Sequence, residues 1–246
     1  MNTNTFAVDQ TLAQIISSAT LATIDDVLAV MRGLDQSLAN NDGLKWFNLL
    51  YLKVTESVKT SPPTGGFEDP VWLSKLDVEF AKLYFDSIIA WQRNPAAVSR
   101  AWRPLFQARL RPRLARVQFA LAGMNAHINH DLALAVVRTD DALGLKPKRN
   151  SPQFRDFQRV NEVLVVAEAQ AKEFIATGIV GVIDQKLGQV DDVLAMWSVK
   201  KARETAWNNA ELLWRIRHVA IAKKLFLENL ENLVGLSSQG ILLPVL

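Results

Sequence analysis

The fold of this chain is best understood from residues 117–137, VQFALAGMNAHINHDLALAVV. Both ends of this stretch are apolar, and apolar residues occur on every side of its helical projection. A helix that is apolar nearly all round is usually internal. Its centre holds five polar side chains within seven residues, namely Asn125, His127, Asn129, His130 and Asp131. The stretch therefore predicts a buried helix whose polar groups need partners, because an unsatisfied buried polar group costs roughly 1–3 kcal/mol.

The rest of the chain also follows a helical period, and no part of it shows the sustained alternation of a strand. The clearest break is at 61–70, where three prolines and two glycines cannot continue a helix. Thr23 and Asp69 are predicted N-caps, and Pro70 is predicted at the first helical position. We predict helices at about 9–18, 24–39, 44–59, 70–93, 117–140, 154–177, 179–186 and 190–233, with an interrupted helix at 95–116.

These elements indicate an all-α fold, either a helical array or an elaborated helix bundle of about 8–10 helices. The loops are short, and nothing resembles an interdomain linker. We therefore expect a single all-α domain over residues 1–246, with a loosely ordered N-terminus at residues 1–7.

Composition and charge narrow the classes of function. Hydrophobic residues make up 49% and charged residues 22%, and the net charge of +3 is too small to indicate nucleic acid by itself. The chain has no cysteine, which excludes disulfides and thiolate metal sites. It shows no signal peptide, no run of 18 apolar residues and no glycine-rich nucleotide-binding turn. We expect a cytoplasmic protein with a small-molecule substrate or ligand, no nucleic-acid partner, no membrane span and no nucleotide cofactor.

The most specific chemical signal is the spacing of His127 and Asp131, which lie four residues apart on one helical face. This spacing can place an imidazole nitrogen and a carboxylate oxygen on one divalent ion. It can equally form a hydrogen bond that holds a catalytic imidazole in one tautomer. A third interpretation is a core polar network that only fixes helix packing.

A second polar stripe contains the third histidine. Glu211 and His218 are about two helical turns apart, on the same stripe as Trp207 and Trp214. If this stripe faces the helix predicted at 117–140, a metal site forms from His127, Asp131, Glu211 and His218. Two histidines and two carboxylates suit zinc, iron or manganese, with Asp131 or Glu211 as the catalytic base. Alternatively, Glu211 pairs with Arg215 on a solvated edge.

Other residues are candidates for a ligand pocket or for helix packing. Glycine inside a helix costs about 1 kcal/mol relative to alanine, so Gly123 predicts the close approach of another helix or a ligand. An arginine-rich segment at 100–116 predicts either an anion site or a solvated face. The predicted ligand-binding residues are Asn125, Asn129, Asp77, Tyr84 and Trp214.

Several segments are similar to those of a known family. GMNAHINHDL at 123–132 resembles the signature of an uncharacterised, mainly bacterial family of unknown function. Similar segments are FNLLYLKVTESV (47–58), LDVEFAKLYFDSI (76–88), SRAWRPLF (99–106) and AWNNAELLW (206–214). The resemblance implies no activity. It implies only that Asn125, His127, Asn129, Asp131 and Glu211 match the motif positions, and that His130 is less typical of the pattern.

Three functions are compatible with these patterns. The first is a metal-dependent enzyme, either a hydrolase or a non-haem oxygenase, with a buried His/Asp/Glu site. The second is a metal-free enzyme or binding protein whose Asn/His/Asp cluster lines an apolar pocket. The third is a structural helical protein whose polar core is fully paired.

Overall fold

A computed structural model describes the backbone of residues 3–177 and 198–244, and the side chains of residues 7–164 and 198–244. This part of the chain contains helices and no strand, so the predicted all-α fold is confirmed. The helices are α1 (Thr3–Ser18), α2 (Ile24–Ser37), α3 (Gly43–Thr60), α4 (Pro70–Arg93), α5 (Arg103–Ala108), α6 (Arg116–Ala126), α7 (Leu132–Ala142), α8 (Pro152–Thr177), α9 (Val199–Ile216) and α10 (Ala220–Ile241). No described helix is long and apolar enough to cross a membrane.

The predicted N-caps are present where the sequence places them. Thr23 accepts a hydrogen bond from the backbone N–H of Asp26, and the Asp26 carboxylate accepts one from the backbone N–H of Thr23. Asp69 accepts a hydrogen bond from the backbone N–H of Trp72, and Pro70 occupies the first helical position of α4. These caps fix where α2 and α4 begin.

The prediction was wrong at two places in the described chain. Residues 95–116 are not one interrupted helix, because only a 3-10 turn (Pro95–Ala97) and the short α5 form there. The long helix predicted to reach residue 233 is divided into two helices. α9 ends at Ile216, and α10 begins at Ala220 with Val219 as its N-cap. The helix predicted at 179–186, the start of the one predicted at 190, and the first two residues of the predicted loose N-terminus lie outside the described residues. The described part of the N-terminus is helical, because α1 begins at Thr3.

The segments from Arg116 to Ala142 follow one another without a break and are called the central helix. This helix contacts α3 through two reciprocal glycine–phenylalanine pairs. A Cβ atom on Gly123 in α6 would collide with the Phe47 ring, and one on Gly43 in α3 would collide with the Phe119 ring. Each glycine therefore gives space to an aromatic ring of the other helix. The close approach predicted at Gly123 is confirmed, and the partner there is a helix.

The central helix is not a regular α-helix. Residues His127–Asp131 form a π-helical turn between α6 and α7. A π-helical turn widens the helix locally, and such turns often occur at functional sites. It changes the angles at which the side chains leave the axis, so His127 and His130 point toward different neighbouring helices. A continuous buried core surrounds this turn and includes residues from every described helix.

Candidate functional site

Asp131 is the centre of the polar cluster in the π-helical turn. Its Oδ2 atom lies 3.0 Å from Nδ1 of His127 and accepts a 2.9 Å hydrogen bond from Nε1 of Trp102. Its Oδ1 atom lies 2.7 Å from Nδ1 of His130. Burial raises the pKa of Asp131, but the hydrogen bonds from the two histidines outweigh it and hold this pKa below its ordinary value. Asp131 is therefore an ionised, buried carboxylate that accepts from three ring N–H groups.

His127 is enclosed by aromatic rings. Its imidazole stacks face to face on Phe80, with ring centroids 3.5 Å apart and an interplanar angle of 5°. The edge of Tyr51 approaches it at a centroid distance of 4.5 Å. The side chain is 1% exposed, and its Nε2 atom has no hydrogen-bond partner in the described part of the chain. The ring is thus held firmly by packing and by Asp131, with one nitrogen left unused.

The protonation state of His127 follows from these contacts. Burial lowers its pKa below the ordinary value, against the opposing effect of the hydrogen bond to Asp131. A neutral imidazole carries one N–H, and the Asp131 carboxylate requires that N–H at Nδ1. Nε2 is consequently an unprotonated acceptor. This is the arrangement by which a carboxylate orients a general base or a ligand-binding imidazole.

His130 faces α10 instead. Its Nε2 atom lies 3.7 Å from Oε1 of Glu231, whose other oxygen accepts a hydrogen bond from the backbone N–H of Arg100. Burial lowers the pKa of His130, but the hydrogen bond with Asp131 and the nearby charges of Asp131 and Glu231 outweigh it and raise this pKa to about 9. His130 is therefore a cation at neutral pH that balances the charges of two carboxylates.

A cavity of about 50 Å³ adjoins His127. It lies between α3, α4, the π-helical turn, α8 and α9, and most of its wall is aliphatic or aromatic. At roughly 10–15 Å³ per water-sized group, it has room for about three to five such groups. The polar side chains that line it are Tyr51, Thr55, Asp77, His127 and Arg203. The geometry is that of a polar-tipped apolar pocket.

Two ionisable groups, Asp77 and Arg203, line this cavity, and they come from distant parts of the sequence. Asp77, on α4, is half-buried, and burial raises its pKa to about 7 despite the attraction of Arg203. Arg203, on α9, is 7% exposed, and burial lowers its pKa to about 10. Both groups line the cavity without forming an ion pair with each other.

The structure does not bring together the four predicted metal ligands. His127 and Asp131 are in contact, but Glu211 accepts a hydrogen bond from Trp207 on its own helix, and His218 is exposed beyond the end of α9. Among the residues that the structure describes, no group of three or more His, Cys, Asp or Glu side chains is arranged to hold a metal ion. Glu211, expected as a catalytic base, also lies away from the cavity lining.

Of the five predicted ligand-binding residues, the cavity is lined by Asp77 alone. Asn125 donates to the Val234 carbonyl and to Ser238 of α10, and it accepts a hydrogen bond from Asn129. The hydroxyl of Tyr84 donates to Asn48, and Trp214 lies under the guanidinium of Arg217. The asparagines therefore hold α10 against the central helix.

Sequence reasoning missed Arg203 and Trp102 as parts of the site. Arg203 had a recognisable signal, because it lies four residues from both Val199 and Trp207 on the buried stripe of α9, where a charge is unexpected. Trp102 had no signal at all, because its indole reaches Asp131 across 29 residues of sequence.

Comparisons with known proteins agree with the resemblance seen in the sequence. One family model, described as "Family of unknown function (DUF5995)", matches residues 24–244. No curated protein and no solved structure matches the chain.

Proposed function

The chain belongs to DUF5995, a family of unknown function, and from the geometry of its own cavity we propose that it binds a small polar molecule at His127. The observation that carries this proposal is the Nε2 atom of His127, which is buried and has no hydrogen-bond partner among the described residues, on a side chain that lines a cavity. A buried acceptor without a partner costs roughly 1–3 kcal/mol. A ligand that donates an O–H or N–H to this atom recovers that cost.

Each neighbour of His127 has a role in this binding. Asp131 fixes the tautomer, so that Nε2 keeps a lone pair available as an acceptor. Phe80 and Tyr51 hold the ring in place and exclude water from its faces. The same imidazole is able to act as a general base toward the proton that it accepts in a hydrogen bond. Binding is therefore the primary function that we propose, and proton transfer is the chemistry that this site favours.

Glycolamide is a suitable probe, because it is neutral, has five non-hydrogen atoms and carries both O–H and N–H donors. We expect the purified full-length chain to bind it with a Kd of about 1 mM, which corresponds to roughly −4 kcal/mol. His127→Asn removes Nε2 but keeps an amide N–H in the place of Nδ1 for Asp131. This variant should bind glycolamide at least about tenfold more weakly, as measured by NMR titration.

Two further variants make this experiment decisive. His127→Gln returns an acceptor oxygen near the position of Nε2 and should recover part of the binding. His218→Asn makes the same chemical change at an exposed histidine and should leave binding unchanged. Equal affinity in wild type and His127→Asn, with both folded by circular dichroism, would contradict the proposal.

The metal-dependent enzyme stays a prediction with its own test. Metal analysis of protein purified without chelator, on wild type, His127→Asn and His218→Asn, measures it directly. The predicted four-residue site requires a stoichiometric divalent metal that both variants lose. A cavity ligand bound through Nε2 of His127 requires no change in metal content in either variant. A cytoplasmic location also remains a proposal, for which the lack of cysteine is the only support.

A further inference from the structure

Arg203 is a buried cation whose hydrogen-bond partners among the described residues are neutral. Its Nε donates to Oδ1 of Asn161 at 2.9 Å, and one Nη donates to the carbonyl of Phe157 at 2.7 Å. The guanidinium also lies 4.2 Å above the centre of the Phe157 ring. No carboxylate in the described ranges forms an ion pair with it. Because buried charges are normally paired, and a guanidinium has five N–H donors, Arg203 retains both the charge and the donors to bind an anion.

The protonation state of Asp77 determines whether the cavity favours or repels that anion. Its carboxyl group lines the same cavity and has no hydrogen bond or ion pair with any described residue. The titratable groups among the described residues that face it are Arg203 from α9, Tyr51 from α3 and His127 from the π-helical turn, whereas the described part of α8 lines the cavity with Val160 and Leu164. An ionised Asp77 repels an anion in the cavity. A protonated Asp77 has no such repulsion and can donate a hydrogen bond to the anion.

The three polar groups therefore have complementary requirements. The Nε2 atom of His127 can accept a hydrogen bond from a donor, and the guanidinium of Arg203 can bind an anion. The protonated carboxyl group of Asp77 can donate a hydrogen bond to an acceptor. A hydroxyl beside a carboxylate meets all three requirements within a few atoms. The cavity of about 50 Å³ also limits the ligand to roughly five non-hydrogen atoms, which is the size of glycolate.

We propose that the ligand is a small 2-hydroxycarboxylate whose carboxylate binds Arg203 and whose hydroxyl donates to Nε2 of His127, with uptake of one proton at Asp77. This inference rests on the proposed function, because it requires the cavity to be a ligand site. It adds the chemical class of the ligand and a pH dependence that neutral ligands do not share.

The sign of the pH dependence follows from Asp77. Its pKa of about 7 in the empty cavity rises further when a carboxylate binds beside it. Below pH 7 Asp77 is already protonated, so the affinity for glycolate is constant. Above pH 7 each bound glycolate takes up one proton, so the affinity falls about tenfold for each pH unit. The lowered pKa of His127 favours its neutral form over this range.

The experiment is a calorimetric titration of the full chain with glycolate, acetate and glycolamide at pH 6 and pH 8. At pH 6 we expect glycolate to bind at least about tenfold more tightly than glycolamide, and more tightly than acetate, which lacks the hydroxyl. At pH 8 we expect glycolate affinity to fall about tenfold and glycolamide affinity to stay the same. Titrations at pH 8 in two buffers of different ionisation enthalpy should show the uptake of one proton.

Variants assign these effects to residues. Asp77→Asn should make glycolate affinity independent of pH, and it should bind glycolate about tenfold more tightly than wild type at pH 8. A merely structural role for Asp77 does not predict this gain. Arg203→Gln should abolish the preference for glycolate over glycolamide. Arg215→Gln, an exposed arginine on the same helix, is the matched control and should bind like wild type.

The outcomes separate this inference from the proposed function. Equal binding of glycolamide and glycolate at pH 6 overturns the carboxylate while the His127 site stands. A glycolate affinity in wild type that is the same at pH 6 and pH 8 overturns the role of Asp77, even if Arg203→Gln does not fold. Binding of none of the three probes overturns both proposals.

Discussion

Asp77 is the residue at which stability and ligand binding conflict most directly. Burial places a carboxyl group in the cavity wall without a hydrogen bond and raises its pKa from 3.8 to about 7. The unfolded chain releases this proton near pH 4, whereas the folded chain keeps it up to about pH 7. The contribution of Asp77 to stability is therefore highest below pH 4 and is lost as the pH rises through 7. A group that destabilises the folded protein at neutral pH is expected at a functional site.

Asp77→Asn should therefore stabilise the protein, and the gain should grow with pH. At pH 8 we expect an increase of about 1–3 kcal/mol in the free energy of unfolding, measured by urea denaturation, and a much smaller increase at pH 4. Glu79→Gln on the same helix is the control with the opposite sign, because the hydrogen bonds of Glu79 with Lys75 and Lys82 outweigh burial and lower its pKa. Destabilisation by Asp77→Asn at pH 8 would show that this carboxylate has a stabilising partner.

The periodicity of the sequence predicted the residue types of the site better than their partners. His127 and Asp131 meet as their spacing indicates, and Asn125 and Asn129 hold neighbouring helices. Glu211 shares a stripe with Trp207, and its carboxylate accepts a hydrogen bond from the Trp207 indole instead of forming a metal site with His127 and Asp131. Spacing gives the face of one helix, whereas the opposing face depends on long-range packing that a single sequence does not encode in its period.

At the scale of elements, the π-helical turn is the feature that no periodicity could predict. An ideal wheel places His127, His130 and Asp131 on one arc of about 100°. The extra residue of the turn separates the two imidazoles, so that His127 faces the cavity and His130 faces Glu231. The starts of α2 and α4 were predicted well because their caps are local. The end of α9 at Ile216 was missed because residues 217–219, between α9 and α10, include no proline or glycine.

The contact between α3 and α6 positions the site, and Gly123 controls that contact. A methyl group on Gly123 would collide with Phe47, which also packs against His127 at a centroid distance of 5.7 Å. We expect Gly123→Ala to lower the free energy of unfolding by about 1–3 kcal/mol, because overpacking outweighs the better helix propensity of alanine. Thermal and urea unfolding measure this change.

Gly240→Ala is the matched control for Gly123→Ala. Gly240 is also helical, but a Cβ atom there meets nothing within 4 Å. Alanine should therefore stabilise at this position, by up to about 1 kcal/mol. If both substitutions stabilise the protein, α3 and α6 are not in the close contact described above.

At the scale of the whole molecule, the cavity exists because five helical elements from distant parts of the chain meet around one imidazole. The polar cluster divides into two parts on either side of Asp131. On one side, His130, Glu231 and the asparagines hold α10 in place through buried hydrogen bonds and balanced charges. On the other side, His127 lines the cavity and has one ring nitrogen without a hydrogen-bond partner among the described residues. One side of the carboxylate is therefore structural and the other is available for a ligand.

Both proposals depend on the tautomer of His127, which carries its proton on Nδ1 and leaves Nε2 as a bare acceptor. The most direct test is a long-range 1H–15N correlation spectrum of the three imidazoles at pH 7, assigned with His127→Asn and His218→Asn. We predict a protonated Nδ1 and an unprotonated Nε2 for His127, two protonated nitrogens for His130, and a change at His127 Nε2 alone when glycolamide is added. A His127 that is doubly protonated, or that carries its proton on Nε2, would contradict the account.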